Sequence, residues 1–477
     1  MKETHKNNLE NQGYNWVKVS QMLENTPVSD CEGKYPGYAG LWCKLIMAVT
    51  SYGMMKNTVA VIHGPTNCAW AVRNFCLTNY SLYYGNPFLH MPSTDIDQND
   101  VISGGTNKLI RTLKEVDRDY KSEHICVFDT CSTALIGDDI ETAIKTAQKD
   151  CIAKIDYISG AGFTAPALGK SIEETALRYA EMMEPPAEII PDTVNILGQY
   201  KEQKRCKKSK YPDDGSELER LIEGIGLKVH RVLISGNYDY VKTAPQASVN
   251  IISCPTWGIP LAKKMQEKFK TPYINQAIPI GIDPTRKWLS ELAKFTGKNP
   301  DAFIEKEVQE LMPMFEKAKS LVQGKVALME CGRNSQTAFA RPMAMARALE
   351  ELGMEVRLFG LHPMELKAKT MDAEYFINEG FDPLILNGVY PYQQPINIKD
   401  LGFKEGEYLY FTQDVFPAPG DGSRVETSVH LRRTKGAPGR GVGFRGTKAL
   451  YESIIEAVIM AENKVHPTLY DRVHGRG

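Results

Sequence analysis

Val59-Ala60-Val61-Ile62-His63-Gly64-Pro65-Thr66-Asn67-Cys68 is a short apolar run that stops at a Gly-Pro turn and delivers a cysteine. Four consecutive small or β-branched apolar residues suit a strand buried on both faces, and the Gly-Pro pair ends it. The same pattern returns at Ile125-Cys126-Val127-Phe128, Val232-Leu233-Ile234, Val249-Asn250-Ile251-Ile252 and Val326-Ala327-Leu328-Met329. Helical periodicity lies between and after these runs, at 138–149, 260–269, 343–352 and 450–463. Alternation of this kind predicts βαβ units. The fold class is α/β, with several Rossmann-like domains built on parallel sheets.

The chain has 477 residues, enough for roughly two to four domains. An irregular arm is expected over 1–35, then α/β domains over 36–200, 215–325 and 326–477, the last ending in a helix. Lys and Arg (57) balance Asp and Glu (58), so no net field draws the chain to nucleic acid or an anionic membrane. The start, Met1-Lys2-Glu3-Thr4-His5-Lys6, has no apolar core of a secretory signal. No apolar stretch reaches the ~20 residues of a membrane span. A cytoplasmic chain is expected, with its ten cysteines mostly reduced. Six basic residues in 201–210 read as a solvated loop between domains.

The cysteines carry the chemistry. No C-x-x-C pair is present, so any metal site must gather distant residues. Ligands in doubly wound sheets bind at the carboxyl ends of strands. Cys68, Cys131 and Cys254 each follow a strand there and precede a helix. A helix start stabilises a thiolate. Taken singly, each could be an ordinary core residue. Three in equivalent places point to soft-metal ligation, and loose spacing favours a large iron–sulfur cluster over zinc.

His430, in Ser428-Val429-His430-Leu431, precedes the glycine-rich stretch that contains Gly436, Gly439, Gly441, Gly443 and Gly446. Glycines let backbone approach a bulky anion, and Arg432, Arg433, Arg440 and Arg445 add positive charge. Gly441-Val442-Gly443-Phe444-Arg445-Gly446 has the G-x-G-x-x-G spacing, but no fitting βαβ unit with a later acidic residue follows it, so a dinucleotide fingerprint is weakly supported. No Walker-type phosphate loop occurs, so ATP hydrolysis in this chain is not expected. Asp138 and Asp139 open a helix and are expected to cap it.

These motifs resemble the nitrogenase component 1 proteins. The resemblance rests on His63-Gly64-Pro65-Thr66-Asn67-Cys68, on Ser103-Gly104-Gly105, and on Cys131-Ser132-Thr133-Ala134-Leu135-Ile136-Gly137-Asp138-Asp139. It implies that Cys43, Cys68 and Cys131 hold one half of a P-cluster ([8Fe-7S]) shared with a beta-type partner, with Cys31 competing with Cys43 for the first position. Ser253-Cys254-Pro255 and His430 resemble the segments that anchor the active-site cofactor in the alpha-type subunit, and Arg341-Pro342 resembles a pair beside it. The implied cofactor is a FeMo-cofactor-like iron–sulfur cluster in a metallocluster cleft, positioned by Arg341, Gly439 and Gly441. The implied partners are a beta-type subunit in an α2β2 assembly and an ATP-dependent iron protein.

The departures are specific. The loop 159–170 lacks the glutamine and histidine that nitrogenases place beside the cofactor, Cys76 replaces a usual arginine, and 362–427 does not read like a nitrogenase. The pattern is closer to nitrogenase-like methylthio-alkane reductases, which cleave carbon–sulfur bonds. A true nitrogenase alpha subunit and a non-catalytic scaffold for cofactor assembly are the alternatives.

Overall fold

The computed structural model describes residues 14–26, 43–52, 55–79, 91–162, 168–199, 214–234, 236–331, 339–360, 370–387, 401–404, 406–412, 428–430 and 441–462. In chain order the strands are β1 (Asn15–Lys18), β2 (Met55–Lys56), β3 (Thr58–His63), β4 (His124–Asp129), β5 (Lys154–Ile158), β6 (Ile190–Gln199), β7 (Lys228–Ile234), β8 (Gly236–Asn237), β9 (Ala247–Ile252), β10 (Tyr273–Ile274), β11 (Val326–Glu330), β12 (Glu355–Phe359), β13 (Leu384–Asn387), β14 (Tyr408–Thr412) and β15 (Ser428–His430). All five apolar runs read as strands are strands, and the α/β class with parallel sheets is borne out.

Three sheets organise the chain. The first has the order β3-β4-β5 and the second β10-β9-β6-β7, every pairing parallel. The third has the order β1-β13-β12-β11-β14-β15, parallel except where β1 closes the edge antiparallel to β13. A small parallel pair, β2 with β8, ties the first sheet's segment to the second's.

Both faces of the first sheet are covered, as its continuous apolar runs require. Val59, Val61, Ile125 and Val127 face a cluster with Leu109, Leu113 and Val116 of the helix Thr106–Tyr120. That helix presents its apolar residues at i, i+4 and i+7, the stripe expected of an amphipathic helix. Ala60, Ile62, Cys126 and Phe128 point the other way. They share a second cluster with Leu45, Leu197, Ile252 and Trp257, so the first and second sheets bury one core between them. Period-two alternation thus splits each strand between two cores.

Several local readings change. Residues 15–25, expected in an irregular arm, form the edge strand β1 and the helix Val19–Asn25, with Val19 and Met22 fully buried. A single edge strand with only two or three apolar residues has little periodicity to detect. Strand β6 lies within 36–200 yet pairs with β7 and β9 of the second sheet. The helix expected from Pro260 starts earlier, at Pro255, and runs through Pro260. Asp139 caps the helix Ile140–Ala147 by accepting the Thr142 N–H, but Asp138 does not cap it. The charged run 201–210 falls outside the described residues. Among the described residues no helix is long and apolar enough to cross a membrane.

One buried carboxyl anchors a helix start between the second and third sheets. Glu351 accepts the N–H groups of Ile282 (2.8 Å) and Asp283 (2.9 Å) at the head of the helix Ile282–Thr296. Burial pushes its carboxyl up to about 7, and the two N–H donors oppose the shift. A carboxyl that binds its proton more readily in the folded chain favours folding below the unfolded value, and that support is lost as pH rises through the folded one. Stability is therefore expected to fall as pH climbs from 4.5 to about 7. The contribution is on the order of 3 kcal/mol at most. The difference in thermal midpoint between wild type and Glu351→Gln, followed against pH, checks this. The wild type should show the decline and the variant should be flatter across that window.

Candidate metal-cluster site

The first sheet delivers its loops to one end. After β3 the chain turns at Gly64 into the helix Thr66–Asn79, which carries Cys68. After β4 it turns at Thr130 into the helix Cys131–Ile136. The two turns interlock: a Cβ at Gly64 would lie 2.3 Å from Thr130 Cγ2. Thr133 Oγ1 donates to the His63 carbonyl (2.9 Å), which joins the second turn to the first.

Cys43 comes from the start of the helix Lys44–Tyr52. Its thiol and that of Cys131 both border Gly162, where a Cβ would lie 3.7 and 3.6 Å from the two sulfurs. The Gly162 N–H donates to Cys131 Sγ at 3.3 Å. The three thiols also act on one another electrostatically. Burial pushes Cys43 up, helped by Cys131, and burial pushes Cys68 up, helped by Cys43 and then Cys131. The structure therefore brings Cys43, Cys68 and Cys131 together. Cys131 is exposed and the other two are partly buried. Cys31 and the side chain of Cys76 lie outside the described residues.

Among the described residues no three His, Cys, Asp or Glu groups are gathered closely enough to hold a single metal ion. The thiol trio shares one end of the sheet without forming such a single-ion site. Soft donors in that arrangement fit a multi-iron cluster better than zinc.

A polar pair that sequence reasoning passed over braces this end. His63 is fully buried, with Nε2 3.0 Å from Asp138 Oδ2 and Nδ1 3.0 Å from Thr94 Oγ1. Asp138 also accepts the Gly105 N–H at 2.8 Å. Burial holds the His63 imidazole below its ordinary value, against the pull of Asp138. The sequence signal was a histidine at a strand end just before Gly-Pro, paired with an acidic doublet whose first member is not needed as a cap.

Cys254 stands at the carboxyl end of β9 and heads the helix Pro255–Phe269; its carbonyl accepts the Gly258 N–H at 2.7 Å. Gly198, with φ +79°, closes on it so tightly that a Cβ would be 2.9 Å from Cys254 Cβ. Cys43, Cys68 and Cys254 all pack against the apolar cluster shared by the first two sheets. His430 ends β15, opposite Thr412 of β14, and its side chain lies outside the described residues. Gly439 also lies outside them.

Two further expectations meet local partners. Arg341 donates to Asp214 at 2.6 Å in a largely buried ion pair. Gly441 has φ +90° and packs on Ile280, and its carbonyl accepts from Thr447. Its glycine character is thereby explained by the fold.

The thiol environments can be read by alkylation of the metal-free chain. With iodoacetamide near neutral pH, exposed Cys131 should label first, Cys43 and Cys68 more slowly, and fully buried Cys126 last. Raising the pH should accelerate Cys43 and Cys68, because burial delays their ionisation. Peptide mass spectrometry gives the order, and equal rates at all four would contradict it.

The chain is similar to known proteins. Residues 43–386 match the family model of nitrogenase component 1 type oxidoreductases. The chain is 28% identical over 325 residues to the nitrogenase iron-molybdenum cofactor biosynthesis protein NifE of Methanococcus maripaludis, a match covering 64% of this chain and 62% of that protein. It is 27% identical over 418 residues to the nitrogenase molybdenum-iron protein alpha chain of Methanosarcina barkeri, covering 80% and 73%. The chain thus spans less than two thirds of the length of that NifE relative. The solved structure of nitrogenase Cp1 at pH 5 superimposes with a TM-score of 0.70 at 18% identity, covering 94% of this chain and 99% of that one, which shows a common fold. With most of its length inside the matched region, the chain belongs to the nitrogenase component 1 type oxidoreductase family.

Proposed function

We propose that this chain is the catalytic alpha-type subunit of an ATP-dependent, two-component reductase that cleaves the carbon–sulfur bond of methylthio-alkanes. The observation that supports this reading most is the convergence of Cys43, Cys68 and Cys131 on one end of the first sheet, with Cys254 across the same apolar cluster. In this reading the trio holds one half of a P-cluster shared with a beta-type partner, and Cys254 and His430 anchor a FeMo-cofactor-like cluster. When bound, these groups supply low-potential one-electron reduction.

The chain's own residues do the rest. Cys254 stands at a helix start, where the free N–H groups of the first turn point toward a bound anionic cluster. The apolar cluster behind Cys43, Cys68 and Cys254 keeps water from that side of the sulfurs. The His63–Asp138 pair holds the two cysteine-bearing turns in register. Arg341 is paired with Asp214, which opens the helix Asp214–Gly224, and would meet the cofactor as half of that pair.

The substrate class is inferred from the departures: the loop 159–170 lacks the glutamine and histidine that nitrogenases place beside the cofactor, Cys76 replaces a usual arginine, and 362–427 does not read like a nitrogenase. Reductive cleavage of a methyl thioether consumes two electrons and two protons and yields a hydrocarbon and methanethiol. A second reading, a scaffold for cofactor assembly, is favoured by the similarity to NifE proteins.

The test is a headspace and ammonia assay on the complex, purified without oxygen with its beta-type partner and supplied with iron protein, ATP and a reductant. Dimethyl sulfide should yield methane and methanethiol, and dinitrogen little ammonia. Cys254→Ala should lower the hydrocarbon rate at least a hundredfold. Ammonia at a comparable rate would return the chain to the nitrogenases. An iron-loaded complex that forms neither product would move the scaffold reading to first place.

A further inference from the structure

We propose that Asp129 is a positioning residue for the thiol trio: its carboxylate pins the turn 160–162 so that the Gly162 N–H is donated to Cys131 Sγ. This inference rests on the reading of the trio as iron–sulfur ligands. It adds a hydrogen-bond control of that centre, set by a residue that is not a ligand.

Asp129 ends β4, two residues before Cys131, and its side chain is buried with 3% exposure. A carboxylate so placed needs donors around it. Oδ1 accepts the N–H groups of Gly160 and Ala161, and Oδ2 accepts the Tyr157 hydroxyl at 3.0 Å. Burial, then the carboxylate itself, pushes the Tyr157 phenol up, so it remains a donor. Three donors converge on one side chain, and two of them belong to the turn.

The turn has no freedom on its other side. A Cβ at Gly160 would lie 2.5 Å from the Asp129 carbonyl and 2.6 Å from Leu45 Cδ1. Leu45 follows Cys43 by two residues, so the turn is wedged between the strand that leads to Cys131 and the helix that begins after Cys43. One step further on, the Gly162 N–H reaches Cys131 Sγ at 3.3 Å. A hydrogen bond to a ligating sulfur favours the reduced, more negative centre and raises its potential. Asp129 thereby acts on the sulfur through the backbone.

The experiment uses the whole complex with its beta-type partner and reads iron content, the one-electron midpoint by EPR-monitored titration, and amide hydrogen exchange across 160–162. Asp129→Ala should retain iron and speed exchange of those amides. Asp129→Ala and Asp129→Asn remove the same negative charge, which by itself raises the midpoint, so the two variants are compared with each other. Asp129→Ala, which also frees the turn, should lie below Asp129→Asn by a tenfold change in the couple, about 59 mV. Equal midpoints in the two variants, with wild-type exchange across 160–162, would overturn the proposal. If Asp129→Ala fails to fold, amide exchange in Asp129→Asn decides: faster exchange than in the wild type supports the proposal and a wild-type rate overturns it. Cys131→Ala separates the two levels of the argument. If it leaves the iron content and signal intact, the cluster reading itself falls; if it removes them while the Asp129 variants change nothing, only the role of Asp129 falls.

Discussion

No side chain fits at position 64. The Gly64 backbone rests on Thr130 at a distance that a methyl group cannot share, and the rest of the candidate site depends on that contact. It brings the turn after β3 against the turn after β4, so that Cys68 and Cys131 start neighbouring helices at one end of the sheet. Parallel pairing sets the stage, because His63 and Asp129 are opposite residues in the β3–β4 register and both chains leave the sheet at the same level. The polar bonds then lock the contact. Thr133 reaches the His63 carbonyl, and His63 reaches Asp138 seventy-five residues away. Each bond alone contributes little net stability, but a buried network must be satisfied throughout or it costs more than it returns.

Burial works against the thiols. It pushes Cys43 and Cys68 up, so the metal-free chain keeps its sulfurs protonated more firmly than water would. Cys126, inside β4, is pushed well up and is a plain core residue. The difference between a structural cysteine and a candidate ligand is thus one of position along the strand. Cys126 faces the core at mid-strand, while Cys131 stands past the strand's end at a helix start, exposed and within reach of the Gly162 N–H. On the proposed reading, cluster binding has to displace protons from this partly buried pair, which couples loading to pH.

That positional difference is why much of the site was legible before any coordinates. Continuous apolar runs mark strands buried on both faces, and a cysteine just beyond such a run has only one end of the sheet to occupy. The central strands β3, β4, β7, β9 and β11 were read this way. Strand β1 was not, because an edge strand tied to a short helix carries too few apolar residues to show a period. The segment of β6 mixes Pro191, Asp192, Thr193 and Asn195 with its apolar residues, and its sheet is decided by partners distant in sequence. Asn195 Nδ2 donates there to Asn250 Oδ1 and to the Ala244 carbonyl, interactions invisible in a linear pattern. Asp138 was misread for a related reason. A carboxylate at a helix start is usually a cap, and only the fold shows that His63 and Gly105 take it instead.

Arg341 illustrates how far a motif can be carried. The resemblance of Arg341-Pro342 to a pair beside the cofactor suggested a cation aimed at a cluster. The structure gives it a buried partner, Asp214, at the start of the helix Asp214–Gly224. A buried pair is held by mutual attraction against the cost of dehydrating both members, and removing either leaves the other stranded. Arg341 cannot offer its full charge to a cofactor without abandoning Asp214, and the pair together is close to neutral. Aligned backbone N–H groups are another source of positive potential. The helix start at Cys254 is one such source, and the tight closure of Gly198 behind it fixes the direction in which those groups point. Electrostatic support built from backbone is hard to see in a sequence, since it belongs to the turn and not to any residue's side chain.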